Sequence, residues 1–286
     1  MMDLQQPLVR TSRAFALALP LLPEPLRSEV ETAHLLYRVI DTLEAATRWS
    51  RLQRLEAFAD LATLLRAPSP HTAAQLSRAW VAARPVEHDG SLELLAQLPA
   101  VISALAAHRS AAREAIARHA LRTIDGMAVF VTALDDDGCL RFGSLTDLRG
   151  YCYTMAGILG ELLTDLYLLD APALEPGCPV LRRDAALFGE ALLLVTILED
   201  AIGNAHERRF SLPPTIGRRA LLELARDDLS AAATYVLALQ THGAPVGQVR
   251  FPALSMLLAR STLDRLEHAA RLDADPSAGA PASAVR

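Results

Sequence analysis

The chain has 286 residues, of which 51% are hydrophobic and 5% aromatic, and its hydrophobic excess lies in Ala and Leu, which favour helix. A formal net charge of −5 gives no reason to expect a nucleic-acid partner. Three cysteines without a CxxC pair argue against a disulfide framework or a cysteine-based zinc site, and they indicate a reduced, cytoplasmic protein.

Helical patterns follow one another along the chain, so we predict a single all-α domain over residues 1–272 with a disordered tail at 273–286. A loose lead-in precedes a short first helix that Thr11 or Ser12 would cap. The later predicted helices cover residues 26–47, 51–65, 73–83, 92–105 with a break or restart at Pro99, 111–134, 147–169, 181–204, 218–242 and 249–272.

Two segments have competing interpretations. Residues 14–23 resemble a short signal peptide, but Pro20 interrupts the run and Asp3 precedes it, so we do not expect secretion. The Asp-Asp-Asp-Gly run at 135–138 could bind a metal, but its chemistry favours a solvated turn. No run reaches the roughly 18 apolar residues of a membrane span, so we expect no integral membrane segment.

A polar stripe follows one side of the predicted helix at 26–47. His34, Arg38 and Asp41 stand at i, i+4 and i+7, and Glu44 lies one turn further along the same side. Apolar residues cover the rest of the circumference, so we expect the stripe to point into the protein. Buried charges need a partner, a metal or a ligand, which makes the stripe a candidate site. A solvated helix edge and, for His34, an ordinary core histidine are the alternatives.

A later helix repeats this arrangement around Asp200, and the predicted helix at 147–169 carries small residues. Ala156, Gly157 and Gly160 form a strip where another helix can approach closely. Cys152 beside Tyr151 is interpreted as a packed small residue and not as a nucleophile.

Five segments, in order along the chain, carry a family resemblance. The first two are Ser-Arg-Ala-Phe at 12–15 and Leu-Tyr-Arg-Val-Ile-Asp-Thr-Leu-Glu at 36–44. The next two are Ile-Asp-Gly-Met at 124–127 and Tyr-Cys-Tyr-Thr-Met-Ala-Gly at 151–157. The last is Ile-Leu-Glu-Asp at 197–200, which is followed by Arg-Phe-Ser-Leu-Pro at 209–213. Together they resemble the squalene/phytoene synthase family over roughly residues 11 to 270. The resemblance implies an isoprenoid-synthase-type helical bundle around a central apolar cavity.

The resemblance also implies a chemistry. Family members join two allylic diphosphates, such as farnesyl or geranylgeranyl diphosphate, head to head, and Mg²⁺ assists the loss of diphosphate. The implied magnesium ligands are Asp41, Glu44, Asp200 and Asn204. The implied diphosphate contacts are Ser12, Arg13, Arg38 and Arg209. Tyr151 stands where the family places a tyrosine thought to assist proton transfer, and Asp41, Asp200 and His34 are the other candidate catalytic residues. NADPH use, prenyl chain length and oligomeric state stay open, as does peripheral membrane contact for product release.

This sequence departs from the family pattern at several motif positions. The first motif ends in Ala45 where the family has Asp, and the second reads Asp200-Ala-Ile-Gly-Asn204. Glu199 stands where Arg is usual, Thr196 where Asn is usual, and His34 where Tyr is common. Three of the six motif carboxylates remain, so cyclisation or transfer is considered alongside head-to-head coupling.

Three functions therefore compete. An enzyme acting on an isoprenyl diphosphate is the first, a non-catalytic prenyl-lipid-binding or assembly protein on the same fold is the second, and a purely structural helical scaffold is the third. The retained arginines and carboxylates favour the enzyme, because a binding module has less need of them.

Overall fold

Helices make up almost all of the described chain, which comprises residues 13–135, 138–203, 210–211 and 217–274 of the computed structural model. In chain order they are α1 (Arg13–Ala18), α2 (Leu26–Glu44), α3 (Arg51–Arg66), α4 (Pro70–Ala83), α5 (Asp89–Ala96), α6 (Leu98–Ala107), α7 (Ser110–Thr132), α8 (Leu145–Cys152), α9 (Ile158–Asp170), α10 (Cys178–Gly203), α11 (Arg218–Thr241) and α12 (Val246–Ala274), with short 3₁₀ helices at Leu19–Leu21 and Pro172–Gly177. The predicted all-α fold is confirmed.

Two short strands that the sequence did not predict also lie in these ranges. β1 (Leu140–Arg141) and β2 (Phe210–Ser211) pair in parallel, with Leu140 opposite Phe210. A strand of two residues is too short for the apolar alternation that identifies strands in a sequence.

Several helix ends follow the local chemistry of the chain. Ser50 and Gln53 form a capping box at the start of α3, in which the Ser50 amide donates to Gln53 Oε1 at 2.9 Å. Pro99 stands in the first turn of α6, and the chain bends by 48° between α5 and α6. Gly138 adopts a φ of 73°, as an Asp-Gly turn requires, whereas Asp136 and Asp137 of the predicted turn lie outside the described residues.

The predicted helix at 147–169 is interrupted. α8 ends at Cys152, and the segment Tyr153–Gly157 forms a π-helical turn before α9 begins. A π turn accommodates an extra residue without changing the apolar character of its sequence, so the pattern could not reveal it. At the other end of the chain, α12 reaches Ala274 and so extends past the predicted domain end at residue 272. The remainder of the predicted tail lies outside the described residues.

α2, α10 and α12 begin at the same end of the bundle. A Cβ on Gly247, near the start of α12, would lie 2.3 Å from the carbonyl oxygen of Leu21, which precedes α2. Likewise, a Cβ on Gly177, which precedes α10, would lie 2.5 Å from the ring of His242, which precedes α12. The three helices therefore begin close together at one end of the bundle.

One helical stretch in the described chain, Leu145–Asp170, is long and apolar enough to cross a membrane by length and composition, and 56% of its most apolar window is buried inside the bundle. The bent pair of α5 and α6 passes the same test only when counted together. Core helices of globular proteins also pass it, so the expected absence of a membrane span stays a prediction.

Candidate active site

A cavity of about 460 Å³ lies between α1, α2, α9, α10 and α12. Most of its wall is apolar, and the larger apolar wall residues are Phe15, Val30, Leu159, Leu163, Leu166, Phe188, Leu192 and Phe251. Pockets of this size and character are typical of small-molecule sites. The prediction of a bundle around an apolar cavity is therefore confirmed.

Glycines allow the two helices of one cavity wall to touch. A Cβ on Gly160 of α9 would lie 2.1 Å from the carbonyl oxygen of Ala185, and a Cβ on Gly189 of α10 would lie 1.9 Å from that of Ala156. Both distances are far below van der Waals contact. The predicted small-residue strip is thus confirmed as a helix contact.

His34 and Arg38 extend from α2 into the cavity wall. The His34 ring stacks on Phe15 with a centroid distance of 3.7 Å and an interplanar angle of 9°, and Phe251 meets Phe15 edge-on at 5.4 Å. Arg38 Nη1 donates to the carboxylate of Asp41 in an ion pair. The polar stripe of α2 therefore borders an aromatic cluster at the cavity.

The surroundings of His34 keep its imidazole neutral. The pKa of His34 is lowered to about 3, because burial and, to a smaller extent, the positive charge of Arg38 lower it more than Asp41 raises it. A neutral imidazole has one nitrogen that can accept a proton. His34 thus fits a base more readily than an acid.

Within the part of the chain that the structure describes, two buried nitrogen atoms of this stripe have no hydrogen-bond partner, namely Nε2 of His34 and Nε of Arg38. Leaving a buried donor or acceptor unsatisfied costs on the order of 1–3 kcal/mol. Because both residues line the cavity, a ligand with oxygen atoms at this place would recover that cost.

Glu44 lies near the C-terminal end of the same helix and is 4% exposed. Buried Arg54 of α3 donates from Nη1 to the Glu44 carbonyl oxygen at 3.1 Å. Asp41 and Glu44 thus lie in the last turn of α2, beyond Arg38 of the cavity wall.

The second carboxylate helix differs from the first. Thr196 and Glu199 of α10 line the cavity, and Glu199 accepts from Arg265 Nη2 of α12 at 3.0 Å. Asp200 follows as an exposed residue near the end of the helix. Position 199, where the resemblance leads one to expect arginine, thus carries a glutamate whose contact with Arg265 joins α10 to α12.

Three predicted residues, Ser12, Asn204 and Arg209, lie outside the described residues. Arg13 is the first residue of α1 and precedes the cavity-lining Phe15 by two positions. The roles assigned to these four residues stay predictions.

Tyr151 lies away from the cavity. Its side chain is 2% exposed and packs edge-on against Phe130 at 5.3 Å and Phe142 at 5.6 Å. Among the described residues that line the cavity, Tyr151 is absent. Its predicted part in proton transfer stays a prediction.

α12 also contributes to the cavity wall, which was not predicted from the sequence. Phe251, Ser255, Leu258 and Thr262 all line the cavity from this helix. Their spacing of i, i+4, i+7 and i+11 marks one face of a helix, and this was the available signal. It is weak, because most amphipathic helices show it.

The carboxylates fit magnesium only together with a diphosphate. In the described ranges no group of three or more His, Cys, Asp or Glu side chains lies close enough to hold a metal ion. Mg²⁺ is usually bound by one or two carboxylates plus substrate phosphates, and it needs no complete protein cage. Asp41, Glu44 and Asp200 are carboxylates of the kind that this mode uses, and the described lining of the cavity includes none of them.

Comparison with solved structures supports the fold. The chain superposes on the squalene synthase TcSQS in complex with the ligand E5700 at a TM-score of 0.69 and 20% identity, covering 91% of this chain and 76% of that one. For the complex of TcSQS with BPH1237 the TM-score is 0.69 and the identity 20%, and the alignment covers 92% of this chain and 77% of that one. For a dehydrosqualene synthase in complex with a ligand the TM-score is 0.49 and the identity 16%, and the alignment covers 93% of this chain and 85% of that one.

Among curated proteins compared by sequence, none matches the chain significantly. The sequence profile of squalene/phytoene synthase matches residues 8–220, which is well over half of the chain. The match includes both carboxylate helices and the glycine contact between α9 and α10. The chain therefore belongs to the squalene/phytoene synthase family, whose members are prenyltransferase-type enzymes of isoprenoid biosynthesis.

Proposed function

We propose that this protein is a Mg²⁺-dependent enzyme that binds an allylic isoprenyl diphosphate, farnesyl or geranylgeranyl diphosphate, and promotes the loss of its diphosphate. The observation that carries the proposal is the pair of unsatisfied nitrogens on His34 and Arg38 at the wall of an apolar cavity. An isoprenyl diphosphate has the matching halves, an apolar chain and an anionic oxygen-rich end.

Arg38 is placed to bind the anionic end. Its guanidinium uses one nitrogen on Asp41, which leaves further N–H groups for phosphoryl oxygens. Asp41, Glu44 and Asp200 would hold Mg²⁺, which when bound neutralises the charge that develops on the departing diphosphate. The ion pair with Asp41 orients Arg38 before the substrate arrives.

The apolar wall is suited to the rest of the substrate. Leu159, Leu163 and Phe188 exclude water from the prenyl chain, so that a carbocation left by diphosphate loss is not quenched at once. Neutral His34 would accept a proton from such a cation. This role favours a reaction that ends in cyclisation or elimination, besides head-to-head coupling.

A non-catalytic prenyl-lipid-binding protein is the second candidate. The ion pair of Glu199 with Arg265 favours it, because a carboxylate at this place repels diphosphate and the arginine opposite it is already engaged. A protein of this kind would hold a prenyl chain in the cavity but would not release pyrophosphate.

The test is pyrophosphate release from farnesyl and geranylgeranyl diphosphate by the purified protein, with and without Mg²⁺. We expect Mg²⁺-dependent release that Asp41→Ala abolishes and that the control Asp60→Ala, an exposed change on α3, leaves unchanged. Ala45→Asp should lower the Mg²⁺ concentration for half-maximal release, because it adds an anionic ligand. Binding without release would favour the second candidate, and full turnover by Asp41→Ala would refute the site.

A further inference from the structure

We propose that a second, polar cleft of this protein binds a small phosphoryl anion such as phosphate or diphosphate. The cleft has a volume of about 370 Å³ and lies between α7, α9 and α10. Its charged residues are Arg118, His119, Arg122, Glu161, Asp165 and Arg182. None of them belongs to the cavity described above, so this inference does not rest on the proposed function.

The cleft and the cavity lie on opposite faces of α9. Glu161 and Asp165 face the cleft, whereas Leu159 and Leu163 face the cavity. With 100° between successive residues, these two sets point in nearly opposite directions. A ligand in the cleft would therefore be separated from the cavity by the helix itself.

Asp165 forms the floor of the cleft and accepts hydrogen bonds from three side chains, two of them arginines. Arg118 Nη2 donates to it at 2.9 Å, His119 Nε2 at 2.9 Å and Arg182 Nη1 at 2.5 Å. Burial alone would raise the pKa of Asp165, but the hydrogen bonds from His119 and Arg182 outweigh it and lower the pKa to about 2. The carboxylate is thus ionised and anchors both arginines.

Glu161 anchors the third arginine in the same way. Arg122 Nη1 donates to Glu161 Oε2 at 2.6 Å, and Arg122 Nη2 donates to the hydroxyl of Tyr153 at 2.8 Å. The Tyr153 hydroxyl in turn donates to Glu161 Oε1 at 3.1 Å. This closed triangle fixes the orientation of the Arg122 guanidinium without using all of its donors.

His119 completes the network, and its neighbours define the roles of its two ring nitrogens. Arg122 Nη1 lies 3.2 Å from His119 Nδ1, which must accept because arginine has no acceptor. The proton is then on Nε2, which donates to Asp165. Three arginines against two carboxylates leave this cleft with an excess of one positive charge.

The exposed arginines put the excess positive charge at the open side of the cleft. The Arg118, Arg122 and Arg182 side chains are 58%, 42% and 54% exposed, whereas Asp165 is 11% exposed. The carboxylates therefore hold the guanidinium groups from below, and the remaining N–H groups face the open side. Guanidinium groups held in this way match the tetrahedral, multiply charged oxygens of a phosphoryl group.

The experiment is calorimetric titration of the protein with inorganic pyrophosphate and with inorganic phosphate, in EDTA to remove Mg²⁺. We expect saturable binding that Arg118→Gln and Arg182→Gln each weaken on the order of tenfold, because each removes a charge-assisted hydrogen bond. Arg219→Gln, a 91% exposed change on α11, is the matched control and should bind as the wild type does. Arg38→Gln removes the arginine proposed to bind diphosphate in the cavity, so any pyrophosphate binding that it weakens belongs to the cavity and not to the cleft.

Either of two results would overturn the proposal. One is no saturable binding by the wild type, and the other is binding that Arg38→Gln abolishes while Arg118→Gln leaves it unchanged. Citrate bound as tightly as pyrophosphate would refute the phosphoryl preference. Each single variant leaves Asp165 two of its three donors, and thermal unfolding checks that the fold is kept. If Arg182→Gln unfolds, the more exposed Arg118→Gln decides the question alone.

Discussion

Replacing Gly189 or Gly160 with alanine should push α9 and α10 apart. The new Cβ would lie 1.9 Å from the Ala156 carbonyl oxygen in the first variant and 2.1 Å from that of Ala185 in the second. Ordinary contact requires about 3.5 Å, so the helices would have to separate by roughly 1.5 Å along a buried interface. Because backbone atoms cannot move aside as a flexible side chain can, we expect each variant to lose about 2–4 kcal/mol of unfolding free energy.

The assay is urea unfolding at 25 °C, followed by far-UV circular dichroism. Gly150→Ala is the matched control: its Cβ would meet only Phe130 at 3.8 Å, and Gly150 lies inside α8. That change should stabilise the protein by about 0.5–1 kcal/mol, because alanine favours helix over glycine. If Gly189→Ala and Gly160→Ala also proved stabilising, the close approach would not be what requires glycine here.

Two further predictions concern titratable groups. Because the pKa of His34 falls from 6.5 to about 3 in the fold, the unfolded chain takes up the proton first, and stability is lost as the pH falls from 6.5 toward 3. On acidification from pH 6.5 to 5.5, the free energy of unfolding of the wild type should fall by about 1 kcal/mol more than that of His34→Phe, as measured by urea unfolding. Equal falls in the two proteins would contradict this pKa. Burial also raises the pKa of Cys152 to about 12, so native protein treated with iodoacetamide at pH 8 should be alkylated at the partly exposed Cys139 and Cys178, and at Cys152 only after unfolding. Comparable labelling of Cys152 in the native state, located by peptide mass spectrometry, would refute its inert packing.

Much of the fold could be predicted because helix periodicity and helix ends are local properties of the sequence. Pro99 marked the break between α5 and α6, and the small residues near Gly160 marked a helix contact. The two short strands could not be predicted, because residues 140–141 and 210–211 are far apart in the sequence and pair only in the folded chain. The π turn escaped for a related reason, since its sequence is an ordinary helical one.

The candidate site could likewise be predicted only in part. The stripe from His34 to Glu44 could be found because all its members lie on one helix, where spacing fixes direction. The stacking of Phe15 on His34 and the ion pair of Glu199 with Arg265 depend on how separate helices pack. No local pattern encodes such pairs. The polar cleft was missed for the same reason, as its arginines come from two helices and its carboxylates from a third.

The π turn at Tyr153–Gly157 links the positions of both sites. It adds a residue to one helical turn, so every side chain of α9 is rotated by about 100° from where an uninterrupted α-helix would put it. Deleting one residue from the turn would restore regular helix but would carry Gly160 away from α10 and Asp165 away from its arginines in the same movement. The length of this five-residue segment therefore fixes the rotation of the whole of α9 about its axis. A change of length that reorients one face of the helix also reorients the opposite face.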